Sequence, residues 1–469
     1  MKWEKRMSSA GFSRFIYFSL HRLIGSELAR DYREFLELER QSPAYVAQLR
    51  SERLRDLLAH ACANVPFYRD RVEARPGLEL NDFPILRKED IRQNSERLMS
   101  PEVHKGYLSG KTRAQYSWLA VQTGGSTGMP TTVIHDRRFR DLNRAARLYT
   151  QRMCGFPIGK PYFKLWGSMR EINDSRGSMQ QRVAGFLAGE IVMNAFRMED
   201  RDMDSFLRTI NASSIEHMMA YSDAAYRFGQ YLLARKLKVR PLKSVMACAA
   251  TLTEEMRHVI SRAFGGATVQ NMYGSRDCGA IACECAQGSL HIFENKVVLE
   301  TVDDQGKAVA VGKPGRILVT LLGNHGFPLI RYEIGDVGVL SAKSCSCGLP
   351  TRILDRVEGR SVEFLVTENG GYISPSYFVH LIGVVHNPGV IRRFQIVQQS
   401  VDHAVLSLEQ EPGAEASVLR EAVEKIRRDL LTVFGPRMNL QIEMVSRIQE
   451  SASGKFIVSI NKTGQPAAR

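Results

Sequence analysis

The chain reads as an α/β protein: a large N-terminal domain of layered α/β sheets with a β-rich subdomain, then a small C-terminal α+β domain. Three observations predict this. At 469 residues the chain is too long for one compact core. From Tyr116 to Met272, strand and helix patterns alternate, which is the signature of helices layered on a largely parallel sheet. Beyond Ser289 the apolar runs shorten to strands alone, and the tail returns to strands around a single helix.

The elements follow in order. Residues 28–65 carry apolar positions at three- and four-residue spacing and read as helices, with Pro66-Phe67-Tyr68 ending the helical region. SWLAVQT is a strand entering a glycine-rich stretch, and TTVIHD the strand leaving it. Helices are then expected over Asp136–Met153, Asp202–Ile210, Ala224–Arg235 and Glu254–Ala263, with strands over Pro161–Trp166, His217–Tyr221, Ser244–Ala249 and Ala267–Met272. HIFENKVVLETV, GRILVTLL and GDVGVLSA make the β-rich part, about residues 289–350. FQIVQQ, AVLSLEQ and LQIEMV surround the helix Glu415–Phe434. The expected division is residues 1–357, a hinge at 358–363, and 364–469.

The charge of +14 favours anionic partners. The Lys and Arg residues are scattered and lack interleaved aromatics, so nucleic acid is not expected as a partner, whereas a nucleotide is. FSRFIYFSLHRLI near the start is interrupted by Arg14, His21 and Arg22, and its longest apolar run falls far short of the ~18 residues that span a bilayer. An amphipathic helix without stable membrane insertion is expected. Eight cysteines in a long chain without a signal peptide point to the reducing cytoplasm.

Five stretches carry chemistry. Val121–Thr132, VQTGGSTGMPTT, holds glycines that let backbone N–H groups approach an anion and hydroxyls that add donors. A Gly/Ser hairpin is the plain alternative. Ser244–Gly279 has two strand ends. Ala249-Ala250 leaves room for a flat ring, Tyr273 offers a face to stack on it, and Asp277 offers a carboxylate for Mg2+. A core tyrosine and a helix-capping aspartate would read the same. Asp336 in LIRYEIGDVG suits a sugar diol, or is a turn aspartate. Gly359-Arg360 lies at the domain join, where a surface turn is the plain reading. Lys455 in SASGKF can bring a positive charge to a reacting centre, or is an exposed turn lysine. A Walker-type loop is disfavoured because no Gly-Lys-Ser/Thr follows the glycines. A hydrolase elbow at Ser126 is disfavoured because Pro130 and a strand follow it, not a helix.

Taken together and in this order, the five resemble the adenylate-forming superfamily of acyl-CoA synthetases and adenylation domains. Within it the chain is most similar to phenylacetate–CoA ligase-like proteins, including the capsular polysaccharide biosynthesis branch. LLAHACANVPFYRD at Leu57–Asp70 adds to that resemblance. The resemblance implies an ATP- and Mg2+-dependent ligase with a mobile C-terminal domain. Thr123, Gly124, Gly125, Ser126, Thr127 and Gly128 would form the phosphate loop. Ala249, Ala250, Asn271, Met272, Tyr273, Gly274 and Ser275 would surround adenine. Asp277 would hold Mg2+, Asp336 the ribose, Arg360 the hinge, and Lys455 would be the catalytic lysine. Trp166 and Tyr221 fall near the expected acyl pocket.

The implied reaction forms an acyl-adenylate with pyrophosphate release, then transfers the acyl group to CoA. An amine on a sugar or amino acid is the alternative acceptor, and the protein is expected as a monomer or homodimer. Three departures stand out: Thr131 where many members have Lys, Asp277 where the motif has Glu, and Val362 where the hinge often has Asp, with Glu363 a substitute. The last two keep a degenerate nucleotide-binding relative in view. Separately, Cys285, His291, Cys345 and Cys347 suit a structural Zn2+ site, with free buried thiols as the alternative and Cys278 and Cys283 as spare ligands.

Overall fold

The computed structural model describes residues 18–19, 21–22, 25–108, 118–123, 131–156, 158–167, 189–195, 197–358, 365–368, 372–373, 375–448 and 457–463. In chain order the principal helices are α1 (Leu28–Leu38), α2 (Pro43–Asn64), α3 (Arg137–Met153), α4 (Asp200–Asn211), α5 (Ser222–Ala234), α6 (Glu254–Ala263) and α7 (Ala416–Phe434). The strands are β1 (Trp118–Thr123), β2 (Thr131–Asp136), β3 (Tyr162–Trp166), β4 (Glu190–Asn194), β5 (Arg197–Met198), β6 (His217–Tyr221), β7 (Ser244–Cys248), β8 (Thr268–Ser275), β9 (Gly279–Glu284) and β10 (Leu290–Ile292). They continue with β11 (Val297–Val302), β12 (Pro314–Leu321), β13 (Tyr332–Leu340), β14 (Ile353–Glu358), β15 (Leu365–Val366), β16 (Tyr372–Ile373), β17 (Ile391–Ser400), β18 (His403–Gln410), β19 (Asn439–Val445) and β20 (Ser459–Asn461). The mixed α/β class is as expected. The chain forms two compact units, interleaved in sequence.

The first unit comprises residues 1–122, 132–160 and 270–359. Its strands run β11-β12-β13-β14-β10-β9-β8, each pair antiparallel. Leu57, Tyr68, Phe83, Val133, Phe139, Phe327 and Tyr332 fill its core, each no more than 3% exposed. HIFENKVVLETV, expected as one strand, is two. The backbone turns at Phe293–Lys296, where the Lys296 and Val297 N–H groups both donate to Phe293 O. Buried Glu294 anchors that turn by accepting from Arg50 and from the side chain and backbone of Arg352. The sequence reading ends the helical region at Pro66. In the structure Pro66 instead opens a short helix, Pro66–Arg69, because a proline at the first helical position lacks only an N–H that has no intrahelical acceptor.

The second unit comprises residues 123–131, 161–269 and 360–469. Its strands β7-β6-β3-β4 are parallel. HMMAY and SVMAC are buried at every position, as strands covered on both faces must be. β16 pairs with β15 and β5. Toward the C-terminus, β17 alternates between buried and accessible positions in the sheet β19-β18-β17-β20. The helix α7 buries Leu419, Ala422, Ile426, Leu430 and Phe434, one stripe at helical spacing. Among the described residues, no helix is long and apolar enough to cross a membrane.

Asp136 joins β2 to α3. Its Oδ1 accepts from Phe139 N at 2.8 Å as an N-cap, and its Oδ2 accepts from Gly326 N at 2.7 Å. Asp136→Ala is expected to lower stability by about 1–2 kcal/mol in chemical denaturation, with Asp136→Asn losing less because its carbonyl oxygen still caps. Equal losses for the two variants would contradict this account of the cap.

Candidate functional site

β8 carries Asn271 to Ser275 and turns at Arg276–Cys278 into β9. The turn is tight. Ser275 Oγ accepts from Cys278 N at 3.1 Å, and Gly279 has φ +66°. A Cβ on Gly279 would lie 1.9 Å from Asn143 Oδ1, and one on Gly274 would lie 2.3 Å from Gly279 O, so both positions require glycine.

Asp277 is 3% exposed and lies in this turn, so it is not the helix cap that the sequence left open. Its Oδ2 accepts from the Tyr332 hydroxyl. Tyr273 in turn donates its hydroxyl to Asp336 Oδ2 at 2.9 Å. Burial, then the Asp336 carboxylate, pushes the Tyr273 hydroxyl well above its ordinary pKa, so it remains a donor.

Tyr332 and Asp336 both lie on β13, and the register against β12 shifts between them. Glu333 is opposite Leu318 and Val337 opposite Arg316, so four steps along β13 match two along β12. The extra residues bulge the strand around Gly335, whose φ is +96°. Such a bulge re-aims the side chains beside it, here Asp336. β13 and β8 are four places apart in the strand order, about 19 Å in a flat sheet. The 2.9 Å contact of Tyr273 with Asp336 therefore requires this run of strands to curl back on itself.

In the second unit, β3, β6 and β7 are parallel, so their carboxyl ends share one edge. Trp166 and Tyr221 meet there with ring centroids 4.3 Å apart, and Tyr221 donates to Gly167 O at 3.0 Å. Ala249, just past β7, is exposed and has φ +70°, a strained conformation for a residue with a Cβ. Ser222 Oγ lies within hydrogen-bonding distance of Cys248 O and Ala250 O, bracketing it.

Asn271 donates its N–H to Glu284 Oε2 at 2.7 Å, and Met272 is opposite Cys283. Thr131 is fully buried at the start of β2. Thr123 ends β1, and its side chain lies outside the described residues, as do Gly124, Gly125, Ser126, Thr127, Gly128, Arg360, Val362, Glu363 and Lys455.

Cys285, His291, Cys345 and Cys347 converge, with their four ligand atoms all within 4.8 Å of one another. Cys285 Sγ and Cys345 Sγ are 3.6 Å apart, close to the ~3.8 Å edge of a tetrahedron with zinc–sulfur bonds of about 2.3 Å. His291 Nε2 is 3.3 Å from Cys347 Sγ, while its Nδ1 is 3.1 Å from Thr351 Oγ1. That second contact orients the ring, as an outer partner of a ligating histidine does. Burial opposes ionisation of Cys345, but hydrogen bonds led by Ser289 and the Cys347 N–H outweigh it and bring the thiol down to about 6. The donor set fits tetrahedral zinc. Cys278 and Cys283, the spare ligands, lie outside the cluster. Burial pushes the Cys278 thiol up, and Cys283 Sγ is 3.9 Å from Cys154 Sγ.

Sequence reasoning missed three groups at the Asp277 turn: Tyr332, His135 and Lys296. Each had a signal within a stretch already singled out. Tyr332 stands inside LIRYEIGDVG, His135 inside TTVIHD, and Lys296 is the lone lysine in the strand-like stretch HIFENKVVLETV.

Comparison with known proteins bears out the resemblance. Residues 365–462 match the family model described as the CapK C-terminal domain. The chain is similar to Protein CapK of Staphylococcus aureus, 22% identical over 430 residues, covering 88% of this chain and 89% of that protein. It is 25% identical over 453 residues to the phenylacetate-coenzyme A ligase of Thermus thermophilus, covering 92% and 95%. It shares the fold of 2-hydroxyisobutyryl-CoA ligase, solved in complex with 2-HIB-AMP and CoA in the thioesterification state. That match has a TM-score of 0.56 and 17% identity, and covers 90% of this chain and 91% of the other.

Tyr332→Phe removes a donor from a buried carboxylate and is expected to cost about 1–3 kcal/mol in chemical denaturation. Tyr273→Phe should cost less, because Asp336 is more accessible to water. A neutral Tyr332→Phe would show that its hydroxyl does not support Asp277.

Proposed function

We propose that the chain activates a carboxylic acid with ATP, releasing pyrophosphate, and passes the acyl group to the thiol of CoA. The observation that carries this reading is the linkage of Tyr273 to Asp336 and of Tyr332 to Asp277 on one curled run of strands. It gathers the ring and the two carboxylates that the resemblance assigns to adenine, ribose and Mg2+. Similarity to phenylacetate-coenzyme A ligase over most of the chain supports the same reading.

In the first half-reaction a carboxylate oxygen of the acid attacks the α-phosphorus, and the bond from that phosphorus to the bridging oxygen of pyrophosphate breaks. Such chemistry depends on positioning and charge neutralisation. Tyr273 keeps its ring face for the purine while its hydroxyl holds Asp336 Oδ2, which leaves Oδ1 for a ribose hydroxyl. Asp277, whose Oδ2 accepts from Tyr332, would hold the cation. Bound Mg2+ supplies neutralisation of phosphate charge. The resemblance assigns the leaving pyrophosphate to the 123–128 loop, and to Lys455 the positive charge between the acid and the α-phosphate. In the second half-reaction the thiol attacks the acyl carbon, AMP leaves, and the thiol proton passes to solvent.

Incubation with ATP, Mg2+ and a panel of carboxylic acids should release pyrophosphate, and Lys455→Ala should cut the rate by about 10²–10³ with ATP binding retained. ATP binding without pyrophosphate release for any acid would favour a nonenzymatic nucleotide-binding relative instead. Mass analysis of the product distinguishes a thioester from an amide on an amine acceptor.

The Cys285, His291, Cys345 and Cys347 cluster is proposed to hold a structural Zn2+, with all four positions filled by protein and none left for chemistry. Protein purified without chelator should carry about one zinc per chain. Cys345→Ser should lose the metal and lower the unfolding temperature. A protein without stoichiometric zinc would end this assignment.

A further inference from the structure

Two buried side chains hold the backbone of the Asp277 turn. His135 Nε2 donates to Asp277 O at 2.7 Å. Lys296 Nζ donates to Cys278 O at 2.6 Å and to Ala280 O at 2.7 Å. Lys296 is fully buried and His135 is 4% exposed. They come from different places, β2 and the turn before β11, and the sequence motifs assign neither of them a role. Among the described residues, no carboxylate forms an ion pair with Lys296. Its amine is faced by the two carbonyls and by the Phe139 ring, whose centroid is 5.0 Å from Nζ.

A buried lysine carries a desolvation cost that an apolar side chain of similar length would avoid. What the amine supplies in return is two donors aimed at one turn. That turn bears an aspartate where the family motif has glutamate. The shorter side chain has one torsion fewer, so the position of its carboxylate follows the backbone more closely. A displacement of about 1 Å at a reacting group can cost about a hundredfold.

We propose that Lys296 and His135 are positioning residues for Asp277, fixing the turn backbone so that its carboxylate meets the nucleotide-bound cation. This rests on the reading of Asp277 as the Mg2+ carboxylate. Burial brings Lys296 down to about 7 and His135 to about 4, and each keeps the N–H donors it needs when neutral.

The test uses the full chain, with Mn2+ as the spectroscopic cation and α,β-methylene ATP as the unreactive nucleotide. Mn2+ affinity is read by electron paramagnetic resonance, and hydrogen exchange of residues 274–281 is followed in parallel. Lys296→Met and His135→Phe are expected to weaken Mn2+ binding by about ten- to a hundredfold and to speed local exchange, with His135→Gln restoring much of the loss. Folded Lys296→Met and His135→Phe proteins with unchanged Mn2+ affinity, beside an Asp277→Ala protein that has lost it, would overturn the proposal. An Asp277→Ala protein that binds Mn2+ normally would instead overturn the reading of Asp277. Should Lys296→Met fail to fold, the two His135 variants carry the same comparison.

Discussion

Tyr332 donates to Asp277 and Tyr273 donates to Asp336, so β13 and the β8 region each give one hydroxyl and receive one. Much of the first unit depends on this exchange. A carboxylate removed from water needs donors, and a buried phenol needs an acceptor. Each pair satisfies both needs only if strands four places apart in the sheet order are brought face to face. The curl of the strand run and the placement of the candidate site residues are thus one constraint.

The same matching of donors to acceptors extends beneath the turn. The carbonyls of Asp277, Cys278 and Ala280 accept from His135 and Lys296, groups that can donate without a charge. Gly274 and Gly279 admit the close approach of Gly279 O and of the Asn143 side chain within the same turn. The turn is braced through its backbone, independently of the Asp277 carboxylate, which meets Tyr332.

The second unit gathers its candidate residues by a different route. Parallel strands necessarily align their carboxyl ends, so Trp166, Tyr221 and Ala249 are brought to one edge by topology. Ala249 is held there in the left-handed region, with Ser222 reaching the carbonyls on either side of it. The Cys/His cluster in the first unit is a third solution. There sulfur and imidazole from two distant stretches meet at distances suited to a single cation.

The α/β class, most helix and strand positions, and the residue types of the candidate site were legible in the chain alone, because these are local properties. Periodicity marks a helix such as α7, and uninterrupted apolar runs mark buried strands such as β6 and β7. Cys285, His291, Cys345 and Cys347 stood out for the same reason, since ligand chemistry is written in residue type. The folded structure was needed to show that HIFENKVVLETV breaks at Phe293–Lys296, and that Asp277 is a buried turn residue rather than a cap. It was needed equally to pair Tyr273 with Asp336 and to reveal Lys296 beneath the turn. These last contacts join residues well separated along the chain. Their energy comes from burial and from mutual satisfaction of donors and acceptors, which no local pattern of residues encodes.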